Sequence, residues 1–282
     1  MSEALSWTVV SAVLFGALLH ASWNAMVKAS SDKDLDTALI HLIGSFLALP
    51  VVLLIGLPPL ASWPYLAASL VIHVGYYFAL SGAYRHGDLG LTYPVMRGTA
   101  PLLVALSATL FLGEQMSSLA WAGLLGICCG VLALGLSRHA LATPKALSFA
   151  LCNAVIIALY TVVDALGVRA SGQPAQYVAL LFLLDGWPFA LLIWLRRGRA
   201  FGDYARQRWP LATLGAAASL ASYGIALWAM TQAPMAMVAA LRETSVLFAV
   251  LFGAWFLKEK FNARRLLGSF TIVGGVMAMR LG

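Results

Sequence analysis

The chain repeats itself. Slid against itself by 145 positions, it places Arg97 on Arg242, Thr99 on Thr244, Leu102 on Leu247, Leu106 on Leu251 and Phe111 on Phe256. Leu112, Glu114, Gly123 and Gly130 then meet Leu257, Glu259, Gly268 and Gly275, so residues 83–136 and 229–281 are two copies of one apolar helical pair. An arginine held at one place in two apolar runs is a strong constraint, because a charge there is costly to bury. Trp63-Pro64 and Tyr77 match Trp209-Pro210 and Tyr223 at offset 146, and Pro50 matches Pro188 at offset 138. The repeat therefore extends to other helices.

Apolar runs cover residues 5–27, 36–56, 64–84, 90–112, 117–137, 146–167, 175–195, 209–230, 235–257 and 263–281. Each is close to the ~20 residues that cross a bilayer. The chain is 61% hydrophobic and 10% charged, with a mean hydropathy of +0.87, whereas soluble domains carry roughly a quarter charged residues. Turn and charge signals separate the runs: Asp32-Lys33-Asp34, Pro58-Pro59, His86-Gly87-Asp88, Thr143-Pro144-Lys145 and a long basic segment, Arg196–Arg208. Residues 1–139 and 140–282 then hold five spans each. Five is odd, so the second copy enters the membrane from the opposite side. The predicted fold is an all-α membrane protein of ten transmembrane helices in two inverted five-helix repeats. Inverted repeats are a common construction of secondary transporters, which bind substrate near the bilayer midplane.

Charge sets the orientation. Fourteen of the 18 Lys and Arg lie in odd-numbered loops, from Lys28 and Lys33 to Arg264 and Arg265. Arg169 and Arg280 lie on the other side, which puts both termini in the periplasm of a bacterial inner (plasma) membrane. The same placement explains the net charge of +7 and removes the case for nucleic-acid binding. Met1–Ser6 carries no Lys or Arg and does not read as a cleaved signal peptide. Cys128, Cys129 and Cys152 sit inside spans and read as buried structural thiols, with no metal-ligand spacing. No Gly-x-x-x-x-Gly-Lys-Ser/Thr, His-Glu-x-x-His or Gly-x-Ser-x-Gly motif occurs, so the sequence points to no enzyme, no ATP drive, no cofactor and no catalytic residue.

Ionisable groups inside spans are candidates for function. Arg97 lies about seven residues, or ~10 Å, into its span. Arg242 lies as deep from the opposite face. Either guanidinium suits a substrate carboxylate. The alternative is a structural pairing with Glu243 or Asp185. Those two acids are also the coupling candidates, and Gly186-Trp187-Pro188 is expected to break the helix beside Asp185. Because two arginines match two acids, the sequence leans toward uncoupled transport. Asp164 reads as an interfacial residue near Arg169, and Glu114 and Glu259 as loop-capping groups.

Aromatic and polar groups complete the candidate site. His20, Trp23, Asn24 and Val27 form one stripe, while His73, Tyr77 and Tyr84, beside Tyr76, form a second. Tyr93, Tyr160, Trp187, Tyr223 and Trp228 take comparable places. Such groups line binding cavities. The alternative is an interfacial belt, which accounts for Trp7, Trp63 and Trp209. His41 reads as a packing histidine. Gly126-x-x-x-Gly130, Gly268 and Gly275 offer small faces for close helix contact.

Tyr93-Pro94-Val95-Met96-Arg97 through Pro101, Phe111-Leu112-Gly113-Glu114 and Trp121-Ala122-Gly123 resemble the EamA family of the drug/metabolite transporter superfamily. Phe256-Leu257-Lys258-Glu259, Leu267-Gly268 and Gly274-Gly275-Val276 repeat the pattern, and Trp23-Asn24 with Lys28 fits it. Lys258 stands where the pattern usually has a small residue. The resemblance implies a secondary transporter of small metabolites, similar to the YddG-type exporters of aromatic and neutral amino acids. Many relatives keep their termini in the cytoplasm, from which the charge count departs. The expected partners are a small-molecule substrate and the lipid bilayer. Another small solute (drug, sugar, choline or phosphonate) is the alternative, and a membrane-embedded enzyme the more distant one.

Overall fold

The computed structural model describes residues 5–86, 89–135, 144–256 and 263–282. Among these, every regular element is helical: α1 (Trp7–Lys28), α2 (Lys33–Ile55), α3 (Trp63–His86), α4 (Leu89–Leu112), α5 (Ser118–Gly135) and α6 (Pro144–Ser171). Then follow α7 (Pro174–Arg197), α8 (Arg199–Gln232), α9 (Met235–Arg242), α10 (Ser245–Phe256) and α11 (Ala263–Leu281), with one 3₁₀ turn at Leu60–Ser62. Among the described residues, eight segments are long and apolar enough to cross a membrane, and Ser118–Leu134 and Leu266–Leu281 are shorter apolar helices. Without water to satisfy peptide groups, a chain this apolar must bond its backbone within each segment. The outer surface agrees, with Leu54 84% and Phe78 65% exposed.

Several sequence expectations are corrected. Arg196–Arg208 is not a loop: only Gly198, at φ +52°, separates α7 from a 34-residue α8. Glycine tolerates that left-handed backbone, and the Ala, Arg and Gln that follow favour helix. The span expected over 235–257 is broken. Glu243, Thr244, Val246 and Leu247 each donate their N–H to the carbonyl three residues back, around a turn between α9 and α10. Conversely, α7 runs unbroken past Gly186 and Pro188. Only Cys128 is buried, while Cys129 and Cys152 face outward. The sequences around Arg138 and Lys258–Lys260, with Glu259, lie outside the described residues.

Helices from the two ends of the chain interleave. α5 packs on α11, α3 on α6, α2 on α7 and α1 on α8, while α4 lies across α5, α6 and α9. The α5–α11 contact is close. A Cβ on Gly123 would meet the Gly275 carbonyl oxygen at 2.5 Å, and one on Gly130 would meet that of Gly268 at 2.8 Å. Glycine is required at these points because the two backbones touch. At one end of the helices, Arg169 donates from Nε to the Met230 carbonyl (2.8 Å) and from Nη2 to Glu114 Oε1 (2.8 Å). Glu114 in turn accepts the backbone N–H of Met235 (3.0 Å) at the start of α9, so its capping role is as expected. Arg169 is therefore tied to Glu114 and does not pair with Asp164.

Candidate functional site

α1, α2, α3, α4, α6, α7, α8 and α9 line a cavity of about 140 Å³. Of the residues singled out in the sequence, His20, Trp23, Asn24, His73, Tyr77, Tyr93, Arg97, Tyr160, Asp185, Tyr223 and Arg242 line it. Nearly half of its lining residues carry rings. His20 meets Trp23 edge-on at 5.4 Å, His73 stacks on Tyr160 at 4.5 Å, and Tyr77 stacks on Phe189 at 4.7 Å. Trp23 Nε1 is buried with no hydrogen-bond partner, while Asn24 donates to its own helix at the His20 carbonyl (2.8 Å).

Three expected residues lie elsewhere. Trp187 is 46% exposed on the outer surface, edge-on to Phe46, because the register that turns Asp185 inward turns its second neighbour out. Trp228 packs into the apolar core beside the cavity. Glu243 lies next to the main cavity, on a small void that it shares with Arg97, Arg242 and Tyr160.

The cationic side is built by the break between α9 and α10. Arg97 Nε stands 2.9 Å from Glu243 Oε2, and both side chains are buried. Arg97 Nη2 has no hydrogen-bond partner. Arg242, whose charge also acts on Glu243, holds its guanidinium carbon 5.2 Å from the centre of the Tyr223 ring. Both arginines line the cavity, and only Arg97 is ion-paired with Glu243 among the described residues.

Asp185 occupies another wall. Its Oδ2 accepts from the Tyr77 hydroxyl at 3.4 Å, and no basic side chain among the described residues pairs with it. The expectation that each arginine neutralises one acid is therefore corrected: Arg97 pairs with Glu243, and Arg242 lies over the Tyr223 ring. Gly186 sets this position. A Cβ there would lie 2.3 Å from the His41 carbonyl oxygen, so glycine lets α2 close on α7 and brings His41 to the same cavity wall. His41 is thus a lining residue, not only a packing one.

Asp164 is the largest departure. It is fully buried and accepts the hydroxyls of Tyr177 (2.9 Å) and Tyr223 (2.5 Å). The sequence reading also passed over Asn153, fully buried on α6, which donates to Met96 Sδ (2.8 Å) and leaves Oδ1 without a partner. A carboxamide inside an apolar run was the available signal.

Comparison with known proteins sharpens the reading. Residues 144–281 match the EamA-like transporter family. That domain supports a membrane transporter of small solutes. A crystal structure of another protein superposes with a TM-score of 0.74, over 96% of this chain and 98% of its own, at 21% identity. At that identity the likeness speaks for the fold alone. No curated protein matches the chain.

Proposed function

We propose that the protein is an EamA-family secondary transporter of neutral amino acids with aromatic or bulky apolar side chains, working by alternating access. The observation that carries this reading is the cavity's division: free guanidinium donors on one wall, the unpaired Asp185 carboxylate on another, and aromatic rings between. A zwitterion meets all three, with its carboxylate at Arg97 and Arg242 and its ammonium at Asp185. The remaining lining side chains, His20, Trp23, Asn24, His73, Tyr77, Tyr93, Tyr160 and Tyr223, stack on the substrate or hydrogen-bond its polar atoms. The direction we assign is export.

The architecture proposed with it is ten transmembrane helices in two inverted five-helix repeats, residues 1–139 and 140–282, with α9 and α10 as one interrupted span. The α5–α11 contact supports this. Offset 145 carries Gly123 to Gly268 and Gly130 to Gly275, and the observed contacts, 123 with 275 and 130 with 268, map onto each other under that exchange. An interrupted helix beside the binding cavity also suits a transporter.

Proteoliposomes loaded with phenylalanine should take up labelled phenylalanine and tryptophan by counterflow, and should not take up glucose, choline or a cationic dye. Uptake confined to one of the latter would overturn the amino-acid reading. We place both termini in the periplasm of a bacterial inner membrane. In a background without the three native cysteines, an impermeant thiol reagent on intact cells should label Ser2→Cys and spare Gly202→Cys. The reverse pattern inverts the topology.

A further inference from the structure

We propose that Asp164 binds the proton that couples transport to a pH gradient. The proposal rests on the transporter reading above, but not on the identity of the substrate. Asp164 lies off the cavity on α6, fully buried. The Tyr177 and Tyr223 hydroxyls donate to its two oxygens, and the Ser69 hydroxyl is a third partner. No basic side chain among the described residues pairs with it. An ionised carboxylate buried without a cation is costly, whereas the acid form is not. Hydroxyls accommodate both states, because each can donate to a carboxylate or turn to accept from a carboxylic acid. The step is a simple one. A hydronium ion gives its proton to one Asp164 oxygen and leaves as water, and the hydroxyl facing that oxygen turns from donor to acceptor.

The groups facing Asp164 come from several helices. His73 on α3, itself bonded to Ser69, faces the carboxylate, as do Tyr177 on α7 and Tyr223 on α8. Tyr160 lies one turn away on α6. Arg97 on α4 has its charge taken by Glu243, and the Leu60–Ser62 turn contributes no titratable side chain. Tyr223 is the link to the substrate. Its hydroxyl holds Asp164, while its ring lines the cavity under the Arg242 guanidinium. A ligand that draws Arg242 or displaces Tyr223 therefore acts on the proton site, and the proton acts back on the ligand by the same free energy. The carboxylate also ties α6, α7 and α8 together, so its protonation changes how three helices hold each other.

Two measurements on the full-length protein test this. In detergent without substrate, the acid-minus-neutral infrared difference spectrum should contain a carboxyl C=O band that Asp164→Asn removes. In proteoliposomes, Asp164→Asn should keep phenylalanine exchange and lose accumulation driven by a pH gradient of one or other polarity. With one proton per substrate, the parent should reach about tenfold accumulation for a gradient of about one pH unit, and the variant none. An unchanged infrared band, accumulation by the variant equal to the parent's, or a parent that exchanges phenylalanine yet ignores both gradients would overturn the proposal. A folded variant that loses exchange as well would mark Asp164 as a structural hub and overturn it too. If Asp164→Asn does not fold, Tyr177→Phe decides. It removes one donor to the carboxylate and should move the band's midpoint to higher pH, so an unmoved midpoint defeats the proposal. A parent that exchanges no amino acid defeats the substrate reading alone, since the infrared result still judges Asp164.

Discussion

Asp164 and Asp185 are both carboxylates inside the membrane, and each accepts a hydroxyl from one of two tyrosines, Tyr223 and Tyr77, that correspond in the repeat. Their surroundings differ. Asp164 is fully buried, with a 2.5 Å bond from Tyr223 and a second phenol behind it. Asp185 lines the cavity, and its one tyrosine stands at 3.4 Å. The first carboxylate is already satisfied by the protein. The second has acceptor capacity left for a ligand. The two acids therefore differ in their sets of partners.

The comparison can be broken most directly by removing each acceptor. Asp164→Leu leaves the Tyr177 and Tyr223 hydroxyls buried without a partner and should lower stability by ~2–4 kcal/mol, while Asp185→Leu should cost under ~1 kcal/mol. Thermal unfolding in detergent measures both. Equal losses would erase the distinction between the two sites. A second experiment asks whether the wall away from Asp185 holds the substrate carboxylate. Arg97→Lys and Arg242→Lys keep the charge but lose the planar fork, so phenylalanine should bind about thirtyfold more weakly, or ~2 kcal/mol. Parent-like binding in both folded variants would make the arginines purely structural. The smallest effect tests Asp185 itself. Asp185→Asn should weaken phenylalanine about tenfold, or ~1.4 kcal/mol, and leave N-acetyl-phenylalanine, which has no ammonium, unchanged. Equal weakening of both ligands would separate Asp185 from the ammonium.

Much of the site was legible because charged and aromatic groups are rare in apolar spans. Arg97, Arg242, Tyr77, Tyr223 and Asp185 stood out in the sequence, and the structure brings them to one cavity. Trp187 was misplaced because depth says nothing about which way a helix face turns. Asp164 was misread because its distance from the span end suggested Arg169 as partner, whereas its partners come from α3, α7 and α8. His41 joined the cavity wall because Gly186 brings α2 against α7.

The sequence by itself determined that this chain is helical and membrane-spanning, since in lipid each long apolar run must satisfy its own backbone. It also carries an internal match at offset 145, which is visible without any fold. Only the tertiary structure decided the partners. Glu243 takes Arg97 from 146 residues earlier in the chain, and Asp185 keeps no cation among the described residues. It also decided that the helix breaks after Arg242 and not at Gly186-Trp187-Pro188. The physical reason is common to both. Pairing and helix continuity at this depth depend on which groups from other helices arrive to satisfy a freed charge or carbonyl, and that is set by packing across the chain.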